Sequence, residues 1–181
     1  MMKTFSDLNS DLINQKTIEE MEYQRKIDSV CSIAIKYLGI SKKSSGRIKD
    51  HLKLKGCDQD IINEAMCELE RRGYIDDLAV ARTIVRRRSG RRAVSKSAMR
   101  LYLEEGGVPA DAANCIMFEV EEDFLTAIYA LRGKYDNVDE PERIKMIRFL
   151  LSRGYNTSFA ARMVDKYLDS KQNNDNNHQS Y

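Results

Sequence analysis

At 181 residues, with only two prolines, nine glycines and almost no alternation of β-branched residues, the chain excludes sheet architectures and is expected to be all-α. No apolar run approaches membrane-spanning length, which excludes a transmembrane protein. Charged residues make up 32% of the chain, yet the formal net charge is only +2, so the placement of charge is the guide to partners.

In chain order, residues 1–16 are polar without a clear period, which predicts a flexible arm. A helix over 17–38 follows, and its later part carries the apolar stripe Val30, Ile33, Ala34, Tyr37 and Leu38. Residues 39–46 form a loop in which Ser44 or Ser45 caps a helix over 47–55, and Gly56 stops that helix. Asp58 caps the next, which carries Ile61, Ile62, Ala65, Met66 and Leu69 towards Gly73. The plan then recurs: a helix over 76–88, a break at Ser89 and Gly90, a helix over 95–105 stopped by Gly106 and Gly107, and a third opening at Pro109. A further set begins near Glu122 with Phe124, Ile128 and Leu131 on one face, passes a loop over 133–139, and continues with helices over 140–152 and 157–168. Thr157 is the expected cap of the last helix. After Ser170 the chain is rich in Asn and Gln and is expected to be disordered.

One pattern underlies all three sets. Leu52, Gly56, Cys57, Ile61, Ala65 and Met66 recur as Leu103, Gly107, Val108, Ala112, Ile116 and Met117, and again as Leu150, Gly154, Tyr155, Phe159, Met163 and Val164, at spacings of 51 and 47 residues. Such a period marks small supersecondary units in series, each too small for a full core alone, so that neighbours must stack. The expected architecture is three tandem three-helix repeats in an elongated, curved helical array. Its parts are an arm (1–16), repeat 1 with its leading helix (17–75), repeat 2 (76–121), repeat 3 (122–169) and a polar tail (170–181). An array of this kind presents an extended surface to another macromolecule and has no evident need of a dimer, so a monomer is expected.

Charge is sorted within repeat 2. From Leu78 to Leu103 stand eight Arg or Lys and no Asp or Glu, whereas Glu104 to Asp123 holds seven Asp or Glu and no Arg or Lys. The basic residues are Arg82, Arg86, Arg87, Arg88, Arg91, Arg92, Lys96 and Arg100. Planar guanidinium donors suit carboxylates and phosphates alike. Cations at a helix C-terminus complement the macrodipole, which accounts for three arginines but not for eight basic residues. A partner-binding role is therefore expected, with Lys42, Lys43 and Arg47, and Arg143, Lys145 and Arg148, as secondary basic patches.

Catalytic chemistry has little to stand on. Cys31, Cys57, Cys67 and Cys115 lack paired spacing and no signal-peptide pattern is seen, which fits reduced, packed thiols in a cytoplasmic protein. His51 and His178 lie at no zinc-ligand spacing to cysteine, and Glu119, Glu121, Glu122 and Asp123 read as solvation of a helix junction rather than a magnesium cage. Gly106-Gly107 lacks the Lys-Ser/Thr context of a phosphate loop, and no nucleophile with its base can be assembled. No metal, no cofactor and no enzyme activity are expected. Tyr102 adjoins the basic stretch and is the candidate stacking platform for a single strand, while Phe124, Phe149, Phe159 and Tyr167 fall on apolar faces and are assigned to packing.

Gly73-Tyr74-Ile75-Asp76-Asp77, followed by Val80-Ala81, Ile84-Val85-Arg86 and an arginine cluster ending at Gly90, resembles the RecX family of bacterial regulators of the RecA recombinase. Met99, Leu103 and Gly107-Val108 resemble its second-unit pattern, and Lys145-Met146-Ile147-Arg148-Phe149-Leu150 with Arg153-Gly154-Tyr155 is the closest stretch. The likeness runs from about residue 29 to 168, with Val80 where the family usually has an aromatic and Gly106 where it usually has a basic residue. The resemblance implies three tandem three-helix repeats and a RecA filament as partner, with the protein lodged in the filament's helical groove. It further implies inhibition of filament growth and of RecA's ATPase, strand-exchange and co-protease functions, and with these a part in recombinational DNA repair and the SOS response.

The basic stretch would then meet RecA, the DNA backbone or both, and the residues leave the two targets open. The rival reading is a non-enzymatic DNA-binding helical protein that acts through the basic stretch without a recombinase. Groove reading by the helix after each glycine is disfavoured, because over 109–121 that helix carries Asp111, Glu119 and Glu121 and no basic residue. Weak, sequence-independent DNA contact stays open.

Overall fold

The computed structural model describes residues 5–138 and 141–178, with the side chains of 5–14 and 173–178 outside that description. Its elements are α1 (Phe5–Leu38), α2 (Ser45–Leu54), α3 (Gln59–Arg71), α4 (Asp77–Arg87), a single 3-10 turn (Gly90–Arg92), α5 (Lys96–Glu105), α6 (Ala110–Met117), α7 (Asp123–Tyr135), α8 (Arg143–Leu151) and α9 (Thr157–His178). Every described element is helical, as the composition predicts. The chain divides into two compact units, residues 1–76 and 77–181.

In the first unit, the second half of α1 packs against α2 and α3. Ile27, Val30, Ala34 and Leu38 of α1 meet Ile48 and Leu52 of α2 and Ile61, Ile62, Ala65 and Leu69 of α3 in one apolar cluster. The Ser44 side chain accepts from the Arg47 amide and Asp58 from the Asp60 amide at 2.9 Å, so both helix starts are capped by their own sequence. The Lys43 ammonium donates to the carbonyls of Tyr37 (2.7 Å) and Leu38 (3.1 Å), placing a cation on the exposed carbonyl end of α1. Residues 5–16, expected as an irregular arm, lie within α1. The physical reason is that no glycine or proline interrupts 5–38, and once the packed half is formed each further residue adds one backbone bond. Amphipathic period is needed for burial, not for helix propagation, and residues 15–26 are exposed.

The second unit holds two apolar clusters. One gathers Ala81 of α4, Met99 and Leu103 of α5, and Ile116 and Met117 of α6. The other gathers Ala127, Ala130 and Leu131 of α7, Met146 and Leu150 of α8, and Ala160, Met163 and Val164 of α9, with Ala93 inserted from the segment after the 3-10 turn. Three departures from the sequence pattern occur here. Gly133 lies inside α7 rather than opening a loop; the Arg91 chain crosses it so closely that a Cβ there would collide with Arg91, so the glycine serves a close approach and not a turn. Asn156, not Thr157, caps α9, its side-chain oxygen accepting from the Phe159 amide at 2.8 Å. Residues 170–178 continue α9, and Lys171 donates to the carbonyls of Asp136 (3.2 Å) and Val138 beyond the end of α7; residues 179–181 of the expected tail lie outside the described residues.

The three glycine turns close identically. The Cys57, Val108 and Tyr155 amides donate to the carbonyls of Leu52, Leu103 and Leu150 at 3.2, 3.0 and 3.3 Å, around Gly56, Gly107 and Gly154 at φ +74, +70 and +83°. This six-to-one bond is the Schellman ending, which needs a left-handed residue and brings the residue after the glycine back onto the helix. The Leu–Gly–apolar spacing in the sequence is the chemical record of that turn.

The segment before α5 is pinned to the turn before α9. The Ser95 amide donates to the Arg153 carbonyl (3.0 Å), the Ser95 hydroxyl to the Gly154 carbonyl (2.7 Å), and the Arg153 guanidinium to the Ala93 carbonyl (2.9 Å). Tyr155 is buried beside this joint and donates to Thr126 Oγ1 at 2.8 Å. Burial pushes its phenol up to about 12 from 10.0, the Thr126 bond acting weakly the other way. A raised folded-state value means that the neutral phenol is the form the fold favours. Its contribution is complete below about pH 10 and is lost as pH rises through about 12. Tyr155→Phe is expected to cost about 1 kcal/mol in urea denaturation at neutral pH, one buried hydrogen bond, and to make the alkaline limb of the stability profile shallower.

Candidate functional site

The basic stretch occupies α4, the 3-10 turn and α5, and its backbone is fixed locally. The Ser89 hydroxyl folds back to the Val85 carbonyl (2.8 Å), and the Ala93 amide closes the 3-10 turn on the Gly90 carbonyl (2.9 Å). The buried Ala93 and Val94 then anchor the segment, so the arginines between them and α4 stay at the surface.

Half of the eight basic residues are engaged within the fold. Arg82 grips Glu119 through two bonds of 3.4 and 3.0 Å, and its guanidinium holds that carboxyl below the usual carboxylate range. The Lys96 ammonium pairs with Glu122 at 2.5 Å, while the Lys96 amide donates to Asp123 at 2.7 Å. Arg88 lies 3.5 Å from the centre of the Tyr102 ring, a stacked cation–π contact. Arg100 reaches Asn114 at 3.4 Å. The acidic run is thus no bare solvated junction, since Glu119, Glu122 and Asp123 clasp α4 and α5 to the turn before α7. The Tyr102 face expected to stack a strand is covered by Arg88.

Arg86, Arg87, Arg91 and Arg92 remain. All four are exposed and form no ion pair among the described residues. They lie within seven residues, on the end of α4 and the 3-10 turn. Four unspent guanidinium groups at one corner offer bidentate donors to carboxylates or phosphates.

The secondary patches are mostly internal contacts. Lys42 pairs with Asp76 at 3.2 Å, Lys43 caps α1, Lys145 pairs with Glu142 at 2.6 Å, and Arg143 holds Asp165 through bonds of 2.6 and 2.9 Å. That last pair raises Arg143 and lowers Asp165 from their ordinary values, each through the hydrogen bond to the other. Arg47 and Arg148 are exposed. His51, expected as a plain surface residue, stacks on Tyr37 with ring centres 3.9 Å apart. Phe124, assigned to packing, is 42% exposed. Among the described residues no group of three or more His, Cys, Asp and Glu is placed to hold a metal, and no helix is long and apolar enough to cross a membrane.

No family model matches the chain. Individual relatives do. It is 28% identical over 137 residues to the regulatory protein RecX of Prosthecochloris aestuarii, covering 75% of this chain and 91% of that one. It is 26% identical over 164 residues to the RecX of Leuconostoc citreum (87% of this chain, 60% of the relative) and 26% over 142 residues to that of Geobacillus thermodenitrificans (78% and 52%). The fold agrees with the crystal structure of RecX from Lactobacillus salivarius at a TM-score of 0.59 and 17% identity, covering 80% of this chain and 97% of that one. A second crystal structure of a regulatory protein RecX gives 0.61 at 19% identity, over 84% and 77% of the two chains. In sequence and in fold the chain is similar to RecX regulatory proteins.

Its span is about half the length of the Geobacillus RecX, while it covers nearly all of the Prosthecochloris one. The two departures from the RecX pattern have visible settings. Val80 is half-buried against the α4–α6 cluster, a place where a branched aliphatic fills the space. At Gly106 a Cβ would sit 2.6 Å from Ile84 Cδ1, so the side chain of α4 occupies the room that the RecX pattern gives to a basic residue.

Proposed function

We propose that this chain binds a RecA recombinase filament in the cytoplasm and restrains it, inhibiting filament growth and the ATPase, strand-exchange and co-protease activities, and so modulating recombinational DNA repair and the SOS response. Similarity to the RecX regulatory proteins carries the reading. The four exposed arginines of α4 and the 3-10 turn support it, because a recombinase filament on DNA displays both carboxylates and phosphates within reach of one surface. Binding alone suffices for inhibition when the ligand prefers one filament state over another, so no catalytic group is required.

The second reading, DNA binding without a recombinase partner, rests on the same arginines. One titration separates them: ATP hydrolysis by the matching RecA on single-stranded DNA, with this protein added in steps and excess DNA as control. Inhibition well below one molecule per RecA subunit, surviving the added DNA, is the expected result. Inhibition that disappears with added DNA would replace the filament-directed reading with simple competition for the strand.

A further inference from the structure

A groove runs between the start of α7 and the middle of α9, enclosing about 630 Å³. Phe124, Phe159 and Met163 form its apolar lining, and Arg162 and Lys166, one helical turn apart on α9, stand at its edge. Lys166 Nζ lies 4.7 Å from the centre of the Phe124 ring and Arg162 Cζ 5.6 Å from that of Phe159. Phe159 is stacked on Tyr155 with centres 5.7 Å apart and 15° between planes, which holds its ring in place. Neither cation forms an ion pair among the described residues. Asp165, on the same edge, is neutralised by the two-bond clasp of Arg143, so two cations face Asp169 alone in the groove's charge balance.

Each candidate occupant must use what the groove offers. An aliphatic side chain would satisfy the lining but has no use for two cations held only against aromatic rings. A bare phosphate would use the cations but leave an exposed phenylalanine ring in water. A flat π-system joined to an anion uses both, and a nucleobase with its phosphate is such a group. A base inside a duplex has both faces covered by its neighbours, so the match is to an unpaired strand. We propose that this groove stacks one unpaired base of a single-stranded nucleic acid on Phe124, Lys166 swinging off the ring to hold the adjoining phosphate together with Arg162. Asp169, one turn beyond Lys166, repels the next phosphate and limits the site to a single step of the strand. Stacking is tolerant of sequence because every base has a π-face. The inference does not rest on the RecA reading: either can fail while the other stands.

The test compares a short oligothymidylate with a deoxyribose-phosphate strand of the same length that lacks bases. The full chain is expected to bind the oligothymidylate about tenfold more tightly. Phe124→Ala removes that preference without changing affinity for the abasic strand; the ring is already exposed, so the fold tolerates its loss. The chain has no tryptophan, so Phe124→Trp places its one indole in the groove. Saturable quenching of that indole by oligothymidylate, absent with the abasic strand and weak with a duplex, supports the proposal. Equal affinity of the unmodified chain for strands with and without bases would overturn it. So would an indole that ignores thymidylate but responds to a peptide alternating Phe and Glu, which would assign the groove to a protein.

Discussion

Reversing Arg86, Arg87, Arg91 and Arg92 to glutamate together is expected to lower affinity for a RecA–DNA filament about a hundredfold, with the helical spectrum and melting midpoint of the free protein retained. Exposed charge pairs are each worth about 0.2–1 kcal/mol, and reversal replaces an attraction by a repulsion. Four positions then remove about 3 kcal/mol, roughly two decades in affinity. Retention of the fold follows from where these side chains sit. None forms an ion pair among the described residues, and Glu at position 91 keeps the Cβ and Cγ that pack over Gly133. Arg88 is left out because its guanidinium covers the Tyr102 ring, and Arg82 because its reversal would face Glu119. Binding by the unmodified chain weakens with salt, and the variant's salt dependence is flatter, since released counterions and screened pairs are both fewer. Unchanged filament affinity near physiological salt would remove these arginines from the interface.

The helices and their stops were legible because each is written locally. An apolar stripe, a serine or aspartate before it and a glycine after it report interactions within a few residues, and the Schellman turns at Gly56, Gly107 and Gly154 show that chemistry realised three times. The candidate site was legible only as a composition. Eight basic residues in a row look equivalent, yet Glu119 reaches back 37 positions to Arg82 and Glu122 reaches 26 to Lys96, removing two from the available surface. Sequence separation of that size carries no local signal. Phe124 was misassigned for the related reason that a helical period identifies a face but not whether a neighbour covers it. The lengths of α1 and α9 were underestimated because polar residues without a period still propagate a helix already anchored elsewhere.

Gly154→Ala is expected to cost about 4 kcal/mol in urea denaturation, against about 1 kcal/mol for Gly56→Ala. Both glycines are left-handed, at φ +83 and +74°, so a side chain meets the same backbone penalty at each. Their surroundings differ. Around Gly56 nothing lies within 4 Å of the position a Cβ would take, so the conformational term stands alone. At Gly154 a Cβ would sit 2.6 Å from Ala98 Cβ and 2.8 Å from Ser95 Oγ. Ala98 has no flexible end to swing aside, so relief requires the start of α5 to move away from the α8–α9 turn. That movement stretches the Ser95–Gly154, Ser95–Arg153 and Arg153–Ala93 bonds together and uncovers Tyr155. Arg153 is already disfavoured in its charged form by burial, so losing the Ala93 carbonyl removes a hydrogen bond that offsets that cost. Each variant is read in the unfolding transition of its own unit. Equal losses would mean that the α5 start yields freely to the turn before α9. A threefold or larger difference would make this joint the element that holds the arginine corner and the Phe124 groove in one rigid frame.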